Sequence, residues 1–107
     1  MPLESIALTE AVYYILLSLY SPLHGYGIMQ KTTELSSGRF NLAAGTLYGA
    51  LSTLLEKGWI AALPGEESSR KKQYEITTLG KKIAANELLR LSELLKNGEE
   101  IIGGDLK

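Results

Sequence analysis

The sequence predicts a mainly α-helical domain with one small β-hairpin, and three observations support this. Apolar residues recur at helical spacing through residues 10–57 and again through 78–97. Between those stretches the period shortens to two short extended runs, separated by the polar, turn-forming "PGEESSRK". The chain has 107 residues, which is one domain's worth of core and too little for two.

The first helix opens at Thr9 or Ser5 as N-cap, with Glu10 in its first turn, where a negative charge suits the helix dipole. Its run Ala11 to Tyr20 is apolar nearly all round, which predicts burial on most sides. Pro22 disfavours helical geometry at Ser21 and ends it. A second helix is expected from Gly25 to Leu35, with His24 at its start. A loop, "SSGRFNLAAG", leads to a third helix over Gly45–Lys57, closed by Gly58 as the C′ residue. Trp59–Leu63 and Gln73–Thr77 are the strands of a hairpin with a long tip. Trp59, an aromatic at a strand start, reads as packing rather than ligand stacking. Thr77 or Thr78 caps a last helix running to about Asn97, where Asn-Gly is a stop signal, and residues 99–107 form a frayed tail or short turn.

Helix, helix, helix, hairpin, helix is the order of a winged helix-turn-helix followed by one further helix. The expected division is 5–77 for the winged-helix domain and 78–107 for a C-terminal dimerisation helix and tail. In that layout the third helix enters the DNA major groove and the hairpin tip touches the flanking backbone or minor groove.

The third helix is amphipathic in an unusual way. At 100° per residue, Leu47, Ala50, Leu51, Leu54 and Leu55 share one apolar arc. The opposite arc holds Gly45, Gly49, Ser52 and Glu56, flanked by Thr46, Thr53 and Tyr48. Solvent-facing helix positions ordinarily carry long side chains that favour helix. A groove about 12 Å wide admits a helix only where side chains do not hold it off, and small residues allow that approach. Hydroxyls of Thr46, Ser52, Thr53 and Tyr48, with the free N–H groups at the helix start, suit phosphate oxygens or base edges. The same small residues would equally suit tight packing against another helix, and periodicity alone leaves both readings open. The hairpin favours the first. Arg70, Lys71, Lys72, Lys81 and Lys82 face only Glu75 between residues 70 and 82, a local +4 in a chain of net charge −1. Such residues release condensed counterions when they neutralise phosphates. Lys81 and Lys82 belong to the last helix and Glu66 and Glu67 dilute the tip, so the wing cations are Arg70, Lys71 and Lys72.

Three stretches of the chain resemble the PadR-like transcriptional regulators: "LHGYGI" at 23–28, "GTLYGAL" with "LLEKGWI" within 45–60, and "RKKQYEITTLG" at 70–80. They follow one another in the family's order and spacing. The resemblance implies a bacterial winged-helix repressor of the short class, which dimerises through one C-terminal helix. It places Thr46 and Tyr48 at the DNA-contacting start of helix 3, Gly49 and Ser52 at exposed positions that vary with operator, and Arg70, Lys71 and Lys72 in the basic wing. Two departures are Ile76, where leucine is common, and Gly49, where a larger residue or proline often stands; the second shifts readout towards DNA shape.

The last helix spaces Ala84, Leu88, Leu91 and Leu95 by four, three and four, a short heptad-like seam. With the surplus apolar surface of the first helix, rich in Tyr13, Tyr14 and Tyr20, it predicts a homodimer. Leu88, Leu91 and Leu95 would face Tyr14 and Leu17 of the partner. Two helices related by a two-fold axis would then read an inverted repeat in double-stranded DNA, with half-sites about one helical turn apart.

Other classes find little support. The chain has no cysteine, which removes disulfides and thiolate metal sites. It shows no nucleotide-binding glycine loop, metal-ligand cluster or paired acid and base, so neither an enzyme nor a cofactor is expected. His24, the one histidine, lacks nucleophile or carboxylate companions and reads as a helix-start residue, and Tyr26 reads as packing or backbone-contacting rather than catalytic. No secretory signal or membrane-length apolar run appears, which suggests a cytoplasmic protein. Two alternatives stay open: a winged helix used for protein–protein contact, and a regulator sensing a small-molecule effector at the dimer interface. For the second, the last helix offers no aromatic side chain, so a pocket would draw on the helix-1 tyrosines or Trp59.

Overall fold

A computed structural model describes residues 7–64 and 72–103. Its elements run α1 (Glu10–Ser18), β1 (Leu23–His24), α2 (Gly25–Leu35), α3 (Ala44–Lys57), β2 (Ile60–Ala62), β3 (Gln73–Ile76) and α4 (Thr78–Ile102). Mainly α with a small sheet is therefore the observed class. Ile15, Leu16 and Leu19 from the first helix and the turn after it, Ile28 from α2, Leu47, Leu51 and Leu54 from α3, and Ile60 from β2 form one fully buried core. Burying each such side chain contributes about 1.5–3 kcal/mol before entropy is counted, so this shared cluster holds the helices to the sheet.

The starts of α1 and α2 follow ordinary capping chemistry. The Thr9 hydroxyl accepts from Val12 N–H at 3.1 Å, and His24 Nδ1 accepts from Gly27 N–H at 3.3 Å, the helix-start role read for this histidine. At its other end α1 stops at Ser18, two residues short of Tyr20. The N–H groups of Leu19 and Tyr20 bond back only three residues, to Leu16 and Leu17, which tightens the last turn ahead of Pro22. Gly58 takes the left-handed conformation, φ 76°, that ends α3.

The sheet has three strands in the order β1-β3-β2, all antiparallel, with Leu23 opposite Tyr74 and Ile60 opposite Ile76. The third strand is an addition to the expected hairpin: "PLHG" both ends α1 and pairs with β3. Trp59 lies just before β2 rather than at its start and is buried, with the Lys57 ammonium 5.4 Å from its ring centroid. Thr77 joins sheet to α4. Its N–H donates to the Trp59 carbonyl at 3.0 Å, its hydroxyl donates to the Gly58 carbonyl at 2.7 Å, and the same Thr77 hydroxyl oxygen accepts from Gly80 N–H at 3.0 Å. Gly80 sits against the Trp59 carbonyl, where a side chain would collide.

The largest departure is the length of α4. The helix passes through Asn97-Gly98 and ends at Ile102, with Gly103 (φ 61°) after it. One interior glycine costs a helix about 1 kcal/mol, which a long helix with good formers such as Glu99 and Glu100 behind the glycine absorbs. Asn97-Gly98 is thus no stop, and of the tail or short turn expected over 99–107, residues 99–102 continue the helix, while 104–107 lie outside the described residues.

Candidate nucleic-acid interface

The inner side of α3 is Leu47, Leu51 and Leu54, buried, with Ala50 half-buried; Leu55, at the edge of the expected apolar arc, is exposed instead. Gly45, Thr46, Tyr48, Gly49, Ser52, Thr53 and Glu56 are all exposed. A Cβ built on Gly45 or Gly49 meets no atom within 4 Å. Among the described residues, the small face is therefore not packed against another helix, and the helix-packing alternative finds no use for it there. The Thr53 hydroxyl donates to the Gly49 carbonyl at 3.3 Å.

The start of α3 is bare. Its N-cap is Ala43, which offers no side-chain acceptor, and the first helical bond runs from Leu47 N–H to the Ala43 carbonyl at 2.9 Å. The N–H groups ahead of Leu47 have no partner within the helix, so they sit beside Gly45 and Thr46 as donors at the positive end of the dipole. Alanine at this position carries the signal in the sequence, but it is read only once the cap is located.

Tyr48 is 40% exposed, and its phenol lies across Gly25 at the start of α2. Burial pushes the Tyr74 phenol of β3 above its ordinary pKa, with the neighbouring Tyr48 adding a smaller push in the same direction. Of the three expected wing cations, Lys72 stands half-buried just before β3, while Arg70 and Lys71 lie outside the described residues. Lys81 and Lys82 are exposed in the first turns of α4, and the Lys81 ammonium is 5.7 Å from the Tyr20 ring centroid.

The residues expected at a subunit interface divide into two groups. Leu88 and Leu95 are exposed at 59% and 62%. Tyr14, Leu17 and Leu91 are half-buried, Tyr14 with its ring 6.3 Å from that of Phe40. Tyr14 and Leu91 line a cavity of about 300 Å³ between α1 and α4, together with Tyr13, Glu87 and Arg90. Glu87, which sequence reasoning did not single out, is 3% exposed; it accepts from Arg90 at 2.7 and 2.8 Å and from Leu8 N–H at 3.4 Å. The Arg90 guanidinium holds the Glu87 carboxyl below its usual pKa against the opposing pull of burial. Burial, and then the Glu87 charge, push the Tyr13 phenol up. Glu10 and Arg39 form a second pair across the surface, between α1 and the loop before α3.

Residues 14–86, from the middle of α1 to within α4, match the PadR-like family of transcriptional regulators. The chain belongs to that family. As a PadR-like protein it is a DNA-binding transcriptional regulator, and its relatives are regulators rather than enzymes. A PadR family transcription regulator from Clostridium difficile superposes with a TM-score of 0.73 at 25% identity, covering 89% of this chain and 100% of that one. A transcriptional regulator from Clostridium thermocellum gives 0.71 at 22% identity, covering 87% and 89%. A Lysinibacillus sphaericus protein of uncharacterised function is 34% identical over 80 residues, 73% of this chain and 67% of its own length. Among the described residues, no helix of this PadR-like chain is long and apolar enough to cross a membrane.

Proposed function

We propose that this PadR-like chain is a homodimeric, sequence-specific repressor that binds an inverted-repeat operator through α3 and a basic wing. The observation that carries the reading is the open, small-residue face of α3, where nothing among the described residues stands over Gly45 or Gly49. In the major groove, Gly45 and Gly49 let the helix backbone approach, Thr46, Ser52 and Thr53 offer hydroxyls, and Tyr48 reaches the sugar-phosphate backbone. Arg70, Lys71 and Lys72 supply the salt-dependent part of affinity at the flanking phosphates.

Dimerisation is supported by the continuation of α4. Its apolar stripe, Ala84, Leu88, Leu91, Leu95, Gly98 and Ile102, recurs at 4, 3, 4, 3 and 4; Ala84 is buried in the subunit's own core and Leu91 is half-buried against α1, while Leu88, Leu95 and Ile102 are exposed. This coiled-coil-like seam is longer than a helix ending at Asn97 would carry. On this reading 5–77 is the DNA-binding part and 78–107 the dimerisation part, with Leu88, Leu91 and Leu95 against Tyr14 and Leu17 of the second copy.

The test is retention of sheared DNA, taken from the source genome, by the immobilised full chain at two salt concentrations. Fragments sharing a motif should be retained at both. The Thr46→Ala, Tyr48→Phe double variant should bind them about tenfold or more weakly, the scale of losing a specific contact. Lys72→Ala should reduce the slope of log affinity against log salt by about one. Absence of retention at either salt would contradict the reading in favour of a protein-binding winged helix.

A further inference from the structure

The contact beneath Tyr48 carries a role for a residue that no DNA would touch. Gly25 is buried and opens α2. Its φ is not in the left-handed region, so nothing in the backbone demands glycine there, and alanine is the better helix former. The side chain is missing for another reason. The three atoms nearest a Cβ built at position 25 all belong to Tyr48: the hydroxyl, which it would strike, Cζ at 2.8 Å and Cε1 at 3.4 Å. The phenol of Tyr48 thus rests on the bare Cα of Gly25, which follows β1, whose Leu23 pairs with Tyr74 of the central strand. One ring in the first turns of α3 is seated on the start of α2 beside β3, within three residues of the exposed Gly45 and Thr46.

We propose that Gly25 is a positioning residue for DNA recognition: its absent side chain forms the seat that holds Tyr48, and through Tyr48 the amino-terminal turns of α3, in the orientation that meets the groove. The inference rests on the regulator reading above. A helix inserted in a groove must be held to within a fraction of its contact distances, and the support comes from residues behind it. The colliding atom is the free end of a tyrosine, so a methyl group at position 25 is relieved by swinging that ring away rather than by moving backbone. The fold survives, and what is lost is the seat.

The experiment compares Gly25→Ala, Tyr48→Ala and the double variant in the full chain. It measures thermal unfolding, affinity for a fragment retained by the parent, and affinity for an unrelated fragment of equal length. Gly25→Ala should unfold within about 4 °C of the parent, the shift of a small stability change in a domain of this size. It should bind the retained fragment about tenfold more weakly and lose less on unrelated DNA, where only the backbone contact of Tyr48 is at stake. In the Tyr48→Ala background it should cost nothing further, because the ring it displaces is gone. Parent-like affinity of Gly25→Ala, losses that multiply in the double variant, or a large fall in unfolding temperature would overturn the proposal. Should Tyr48→Ala not fold, the Tyr48 ring resonances decide: displaced by Gly25→Ala they support the seat, and unmoved they overturn it. A parent that retains no fragment removes the regulator reading and this role with it, whereas failure of the seat alone leaves the regulator reading standing.

Discussion

At position 49 a methyl group would meet nothing within 4 Å among the described residues beyond the helix's own backbone, and the residue lies inside a helix where alanine is favoured over glycine by about 1 kcal/mol. For folding alone, glycine is the worse choice there. Gly49→Ala is therefore expected to raise the unfolding temperature by about 4–8 °C, the shift for a gain of that size in a small domain. It should at the same time weaken binding to a retained DNA fragment, because the added methyl stands on the surface that approaches the groove. Calorimetry and a mobility shift on the same preparations check both halves. A variant more stable and equally tight in binding would mean the small face has no close partner. This face was legible in the sequence because it depends only on helical periodicity. Two other residue-scale features were not. The seat of Tyr48 on Gly25 joins residues 23 apart on different helices, and no local pattern records it. Glu87 and Arg90 stand at the i, i+3 spacing that many surface pairs share, and only the packing of α1 and Leu8 around them makes Glu87 a buried carboxylate.

Among the elements, α2 and the end of α3 follow the sequence closely, since His24 and Gly58 are local signals with local effects. Strand β1 escapes it. Two residues carry no alternation to read, and they become a strand only because β3 lies alongside. The end of α4 escapes it for the opposite reason: Asn97-Gly98 is a strong local signal overridden by the helix on both sides. That extra turn matters, since it brings α4 to 25 residues, about 37 Å, and carries the apolar stripe to Ile102. Leu95 is 62% exposed in the single chain, so replacing it should not disturb the subunit's own core. Leu95→Glu is expected to halve the mass seen in sedimentation equilibrium at micromolar concentration while helical content stays near that of the parent. A parent that already sediments as a single chain would contradict the role given to α4.

Taken as a whole, the molecule carries almost no net charge, and its extents of 54 × 33 × 21 Å show an elongated body. Long-range attraction to DNA is therefore weak for the molecule at large, and affinity must come from a local surface brought close to the duplex. On the proposed reading, the small open face of α3, the basic wing with Lys72 and the apolar stripe of α4 would serve one arrangement, in which two copies present two α3 helices on one side of the DNA. Such a pair fixes the distance between its contacts before any base is read. Footprinting on a fragment retained by the full chain tests this most directly. The expected result is two related half-sites in inverted orientation, centred about one helical turn, roughly 34–36 Å, apart. A single unpaired protected site, or protection spread evenly along the fragment, would contradict the account.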